Sequence, residues 1–175
     1  MPLTRTLHTL LLLALAGLVS ACGFSLRGSD NVSGHIPELQ LNLQQPNSDL
    51  SRRLRRELES ARVSYRPVDL SVPDPAVPIL TLDAEQFTSR PVTVNPRARA
   101  AQYELSLSVS VTVHWQGQAV LGPETLTTER LFYENIETIT GNLEEMQTLQ
   151  GDMQQELLSQ LMRRLAALDP QAGPA

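Results

Sequence analysis

Lysine is absent from this chain: all 14 of its basic residues are arginine. That removes Schiff-base and amine-nucleophile chemistry. Cysteine occurs once, as Cys22, so no internal disulfide and no multi-cysteine metal site can form. Aromatic residues make up only 4% of the chain and the net charge is -5, which excludes a base-stacking platform on a basic surface and so argues against a nucleic-acid partner. Of the three histidines, only His35 and His114 lie beyond the first 21 residues. No HExxH, CxxC, Gly-rich phosphate loop or GxSxG motif is present. No apolar run reaches the ~20 residues needed to span a bilayer. These absences leave no catalytic constellation, no metal site and no cofactor site, and the expectation is a chain that is not an enzyme.

What is present begins at the N-terminus. Arg5 supplies a short positive region, and Leu7 to Val19 is almost unbroken apolar sequence. That run has the length of a signal-peptide core rather than of a permanent membrane helix. The order Val19-Ser20-Ala21-Cys22 then has the form of a lipobox, where cleavage falls just before a lipid-modified cysteine. Residues 1–21 are therefore read as a cleaved signal peptide. Cys22 is read as the lipidation site, carrying N-acyl and S-diacylglycerol groups. Three acyl chains, at about 0.8 kcal/mol per buried methylene, give effectively permanent anchoring. Gly23 follows the cysteine, not an aspartate. By resemblance to other bacterial lipoproteins, this directs the chain to the inner leaflet of the outer membrane, on the periplasmic side.

Beyond the anchor the chain suits one domain. Residues 22–33 lack apolar periodicity and read as a tether, 34–168 as the folded domain, and 169–175 as a disordered tail. Leu39, Leu41 and Leu43 alternate with polar residues, a strand with one buried face. Asn47 or Ser48 can cap a helix whose stripe is Leu50, Leu54, Leu58 and Ala61. Arg52, Arg53, Arg55 and Arg56 fall off that stripe, where Arg53–Glu57 and Arg55–Glu59 have ion-pair spacing and a solvated face is the plain reading. Val63 to Tyr65 has the character of a short strand, and Pro67 to Pro78 that of a loop. Ile79 to Phe87 reads as a strand with a bulge near Gln86, because Phe87 is out of phase.

From Tyr103 to Trp115 apolar and polar residues alternate over thirteen positions without an error, the pattern of a sheet with one wet face. Gly117 turns the chain. Val120 to Glu134 forms a further strand, broken near Gly122-Pro123, and its end, Leu131-Phe132-Tyr133, is apolar on both faces. A long helix closes the domain. Asn142 can cap it, its apolar face runs from Leu143 to Leu168, and Gly151 is where a bend is expected. The last helix, at roughly 39 Å, matches the long strand, at roughly 43 Å. The expected fold class is α+β, a single β-α-β-β-β-α domain with two helices packed on one face of a roughly four-stranded mixed sheet.

The candidate binding residues are arginines. Arg90, Arg97 and Arg99 fall within the connection Ser89 to Arg99, and Arg130 lies on the following strand. Guanidinium groups in such a cluster grip phosphates through bidentate charged hydrogen bonds. Solvation of an exposed loop explains them equally well.

The run Cys22-Gly23-Phe24-Ser25-Leu26-Arg27-Gly28 resembles the start of the mature LPS-assembly lipoproteins of the LptE family. The likeness continues through Leu50 to Arg55, Ala101 to Leu105, Phe132 to Asn135 and Leu161 to Leu165. It implies two helices on a four-stranded sheet, in agreement with the pattern above. It also implies a one-to-one complex with the outer-membrane barrel LptD, in which the lipoprotein is a plug. That complex delivers lipopolysaccharide to the outer leaflet, and the lipoprotein assists barrel assembly. Lipopolysaccharide binding in the family uses basic residues before the long strand, a role Arg97 or Arg99 can fill. A second basic position before the last helix has no counterpart in Thr138 to Asn142. The competing reading is an accessory lipoprotein of another outer-membrane assembly, a pilotin or a barrel-insertion component.

Overall fold

The computed structural model describes residues 30–69, 71, 74–94, 100–134 and 139–168. The expected signal peptide, Cys22 and the expected tail after Leu168 lie outside the described residues. In order, the elements are α1 (Asp30–His35), β1 (Glu38–Leu43), α2 (Asp49–Ser60), β2 (Ser64–Pro67), β3 (Ile79–Leu82), β4 (Gln86–Val94), β5 (Ala100–Trp115), β6 (Gln118–Tyr133) and α3 (Ile139–Ala167). The fold is α+β, with more strands than the four expected and a short first helix that composition did not reveal. Asp30 to Ser33 fall within the stretch expected as a tether. They are helical instead, because Val32 and Ile36 bury their side chains in the core as α1 packs against α3.

The strand β5 organises the sheet. Its whole length pairs antiparallel with β6. Along its other edge it pairs first with β4, through residues 100–108, and then with β3, through 111–114. β3 and β4 therefore lie end to end as one strand interrupted at Asp83–Glu85. β1 joins β3 in parallel, and β2 joins β1 in parallel. The interruption sits just before Gln86, where the phase change predicted a bulge. It puts Phe87 opposite Leu107, on the same face as Leu80 and Leu82.

At one end, the root, the sheet is five strands wide. At the other, only β4, β5 and β6 continue, as a three-stranded arm. β5 spans roughly 50 Å over both. The turn from β5 to β6 lies at the root, with Gln116 and Gly117 both at positive φ as a two-residue hairpin requires. Gly122 also has positive φ, and a Cβ there would meet the Val111 carbonyl oxygen at 2.4 Å. β6 therefore runs through Gly122-Pro123 by a register shift, without ending there.

Both long helices cover one face. Leu105, Leu107, Val109, Val111 and Val113 of β5 meet Leu54 and Leu58 of α2 and Met153, Leu157, Leu161 and Leu165 of α3 in one buried cluster. Ser48 caps α2, its hydroxyl accepting from the Ser51 amide at 3.1 Å. The predicted Arg–Glu pairs along α2 are not among its ion pairs. Glu57 accepts instead from Gln155 of α3 at 2.8 Å, and Glu59 from the Tyr65 hydroxyl at 2.7 Å. Partners on β2 and α3 outcompete neighbours one turn away, because α2 packs on the sheet beside α3.

α3 begins at Ile139, so Asn142 lies within the helix rather than at its cap. It continues through Gly151, where the Arg53 guanidinium of α2 crosses the helix, with Nη2 3.1 Å from where a Cβ would stand. Two ion pairs fasten α3 to β6. Arg164 grips Glu124 through Nε at 2.9 Å and Nη2 at 2.6 Å, and Arg130 pairs with Glu156.

Candidate functional site

The arm ends in a tip built from β4, β6 and the start of α3. Ser89 to Val94, expected as a basic connection, belong to β4. The first half of β5 needs a partner, and this segment supplies it. The pattern was hidden because β4 is an edge strand with exposed residues on both sides. It tolerates Pro91 and carries a register shift between Pro91 and Thr93.

Arg90 is therefore a strand residue. It stands opposite Glu104 on the face away from the helices, and its Nε lies 2.7 Å from the carboxylate. The hydrogen bond from Arg90 holds the Glu104 carboxyl below the ordinary carboxylate value against the opposing effect of desolvation, with the Arg90 charge adding to the lowering. Arg90 remains 73% exposed. Among the described residues Glu104 engages the Nε edge of this guanidinium, and the side chain is otherwise largely open to an incoming anion.

Arg130 belongs elsewhere. It stands opposite Leu105, on the helix-covered face, and pairs with Glu156. The sheet thus separates Arg90 from Arg130, and the expected grouping of the two does not occur. Arg97 and Arg99 lie outside the described residues, in the stretch joining β4 to β5.

The sequence reading did not single out the apolar side chains here as a site. The large hydrophobic residues exposed among the described residues are Val92 at 41%, Leu131 at 53%, Tyr133 at 64% and Leu143 at 58%. All four belong to the tip. Leu131 and Tyr133 share the outer face of β6, opposite Glu104 and Gln102, and the Gln102 amide donates to the Tyr133 hydroxyl at 3.1 Å. Phe132 points the other way and packs on Tyr103, with ring centroids 6.2 Å apart. The signal was the two-sided apolar triplet Leu131-Phe132-Tyr133, of which only Phe132 is needed by the core. An anion-accessible guanidinium beside exposed apolar groups suits an amphiphile with an anionic head.

The same outer face carries Ser106, Ser108, Ser110 and Thr112 of β5 beside Thr125 and Thr127 of β6, with no element among the described residues laid over it. His114 is exposed at the root end of that face. Among the described residues no group of His, Cys, Asp or Glu is arranged to hold a metal ion, and no helix is long and apolar enough to cross a membrane.

Residues 36–165 match the family described as LptE, lipopolysaccharide-assembly. The chain belongs to the LptE family. Among its relatives, the LPS-assembly lipoprotein LptE of Yersinia enterocolitica is 31% identical over 89% of this chain and 74% of its own length. That of Photorhabdus laumondii is 31% identical over 90% of this chain and 79% of its own. In three dimensions the chain is similar to the rare lipoprotein B of Shewanella oneidensis, with a TM-score of 0.66 at 21% identity, covering 74% of this chain and 94% of that one. A lipoprotein B from Nitrosomonas europaea gives 0.62 at 18%, covering 83% and 91%. These two likenesses concern the fold. LptE membership removes the ground for the pilotin and barrel-insertion alternative, and the family is one of assembly lipoproteins rather than enzymes.

Proposed function

We propose that this LptE-family chain is an outer-membrane lipoprotein, anchored on the periplasmic side through lipid on Cys22. In this reading it plugs an LptD-type β-barrel and takes part in placing lipopolysaccharide in the outer leaflet. The match over residues 36–165 to LPS-assembly lipoproteins carries the reading. Physical chemistry supports it. The lumen of a large outer-membrane barrel is polar, so a plug needs a polar exterior. The uncovered hydroxyl face of β5 and β6 and the charged outer surfaces of α2 and α3 supply one.

The tip supplies the contact with the glycolipid. Arg90 faces a phosphate with its exposed guanidinium, Arg97 and Arg99 belong to the sequence stretch that joins β4 to β5, and Leu131 and Tyr133 offer apolar surface to acyl chains. Charged hydrogen bonds of this kind contribute roughly 1.5–3 kcal/mol each. Arg130, committed to Glu156, is a fastener of α3 in this reading. Assistance to folding of the barrel follows from the plug role, since a lumen forms around its contents.

The test is affinity purification of the tagged chain from solubilised outer membranes. Stoichiometric co-elution of an LptD-like barrel is expected, together with acyl mass on Cys22 by mass spectrometry. Purification of the lipoprotein alone from membranes that contain the barrel would overturn the plug reading.

A further inference from the structure

A second place in the molecule has the chemistry of an amphiphile site, far from the tip. β1, α2 and β2 form a parallel β-α-β unit at the edge of the root. A cavity of about 300 Å³ opens between α2 and the carboxyl ends of β1 and β2. In sheets with parallel strands this is where ligands are received, outside the strand ends. The volume lies at the lower end of the range for ligand pockets. Leu41, Leu43, Tyr65 and Val68 form its walls, with Pro46 on the turn into α2.

Arg55 is the one charged residue lining it. Its Nη2 donates to the Pro46 carbonyl at 2.7 Å. That bond holds the guanidinium at the cavity and uses one of five donors. Among the described residues no carboxylate lines the cavity. Glu59, one turn further along α2, accepts the Tyr65 hydroxyl. The Tyr65 phenol is made less acidic first by that hydrogen bond, then by burial and by the Glu59 charge, with the nearby Arg55 charge opposing.

We propose that this cavity binds a single-chain anionic amphiphile, its chain against Leu41, Leu43, Tyr65 and Val68 and its head on Arg55. Charge complementarity decides the occupant. An apolar partner side chain needs no guanidinium, and a neutral lipid head leaves its donors unused. The volume admits one chain, so the site does not hold a whole multi-acyl glycolipid. The proposal shares with the functional reading above the view that the chain meets membrane amphiphiles, but it concerns different residues.

The experiment uses the mature chain, residues 22–175, with Cys22→Ser so that no acyl chain of its own competes. Dodecyl phosphate is titrated below its micelle concentration and amide shifts are followed by NMR. Saturable shifts at Leu43, Tyr65 and Val68 are expected. R55Q should weaken binding about tenfold or more, as loss of a charged hydrogen bond requires. Dodecyl maltoside, with the same chain and a neutral head, should bind wild type and R55Q alike and weakly. V68E, which places a carboxylate at the cavity, should weaken dodecyl phosphate with an unchanged melting curve. Equal dodecyl phosphate affinity in wild type and R55Q overturns the proposal, as do shifts confined to Leu131 and Tyr133. Lipopolysaccharide binding by R55Q, measured in parallel, separates the two readings: it stays at the wild-type level if the tip is the glycolipid site, whatever the outcome at the cavity.

Discussion

Replacing Gly151 by alanine should stabilise the protein, although the glycine lies under a packed arginine. Two effects compete. In a helix interior alanine is favoured over glycine by about 0.8–1 kcal/mol, because the glycine backbone loses more freedom on folding. Against this, the new methyl group would stand 3.1 Å from Nη2 of Arg53. That atom is the far end of a long side chain, and Arg53 has no ion pair among the described residues. A shift of a few tenths of an ångström costs a small fraction of the helix gain. The net should be a stabilisation of about 0.5–0.8 kcal/mol, which for a domain of this size raises Tm by roughly 1–3 °C. Urea denaturation gives the value as a shift in midpoint at constant slope. The same substitution in an Arg53→Ala background reports the helix gain alone, and the difference between the two is the cost of the contact. Stabilisation only in the Arg53→Ala background would show that Arg53 is held too firmly to yield. Destabilisation in both would show that α3 itself requires glycine at this position, and the reasoning from propensity would fall.

Val109→Asp places an unpaired charge opposite Leu126 under the helices and should cost about 4 kcal/mol or more; a wild-type melting temperature would refute the assignment of the buried face. The hydrogen bonds from Arg164 hold the Glu124 carboxyl below its ordinary value despite desolvation, so its contribution is present above the unfolded value and fades as pH falls through the folded one. Stability measured from pH 6 down to pH 3 should therefore decline more steeply in wild type than in Glu124→Gln, and parallel profiles would refute the pairing. The double change Arg97→Ala, Arg99→Ala should weaken lipopolysaccharide binding by about two orders of magnitude or more if each contact is worth 1.5–3 kcal/mol. Its melting curve should stay unchanged and the salt dependence of binding should be shallower; unchanged affinity would return both residues to plain solvated loop charges.

The parts of the fold legible in the sequence were those written as a repeated pattern. β5 alternates without error because one face is dry and the other wet along its whole length. The stripes of α2 and α3 are legible for the same reason. β4 was not, since an edge strand exposed on both sides has no periodicity to display, and Arg90 was read as a loop residue with it. α1 is too short to establish a period, and two buried residues, Val32 within it and Ile36 just after it, gave no warning. The site was legible as chemistry but not as geometry. Arginines near position 90 and an apolar surplus at Leu131 to Tyr133 were both visible. Which face each occupies depends on register, and a shift of one residue would have put Arg130 beside Glu104. The cavity at Arg55 is tertiary: it joins residues from β1, α2 and the segment around β2, and no local pattern foretells it.

The interruption at Asp83–Glu85 has a mechanical consequence. It is where the sheet narrows, so the bending and twisting compliance of the molecule changes there. The root is braced across five strands and by α2. The arm is a narrow ribbon with a free edge at β4, and narrow ribbons accommodate larger twists than wide sheets. Amides along the β4 edge should therefore exchange faster than those of the five-stranded root, which hydrogen exchange would test. The compliance of the arm lies at its uncovered face and its β4 edge, while its helix-covered face, with Leu105, Leu107 and Phe132, stays tied to the core.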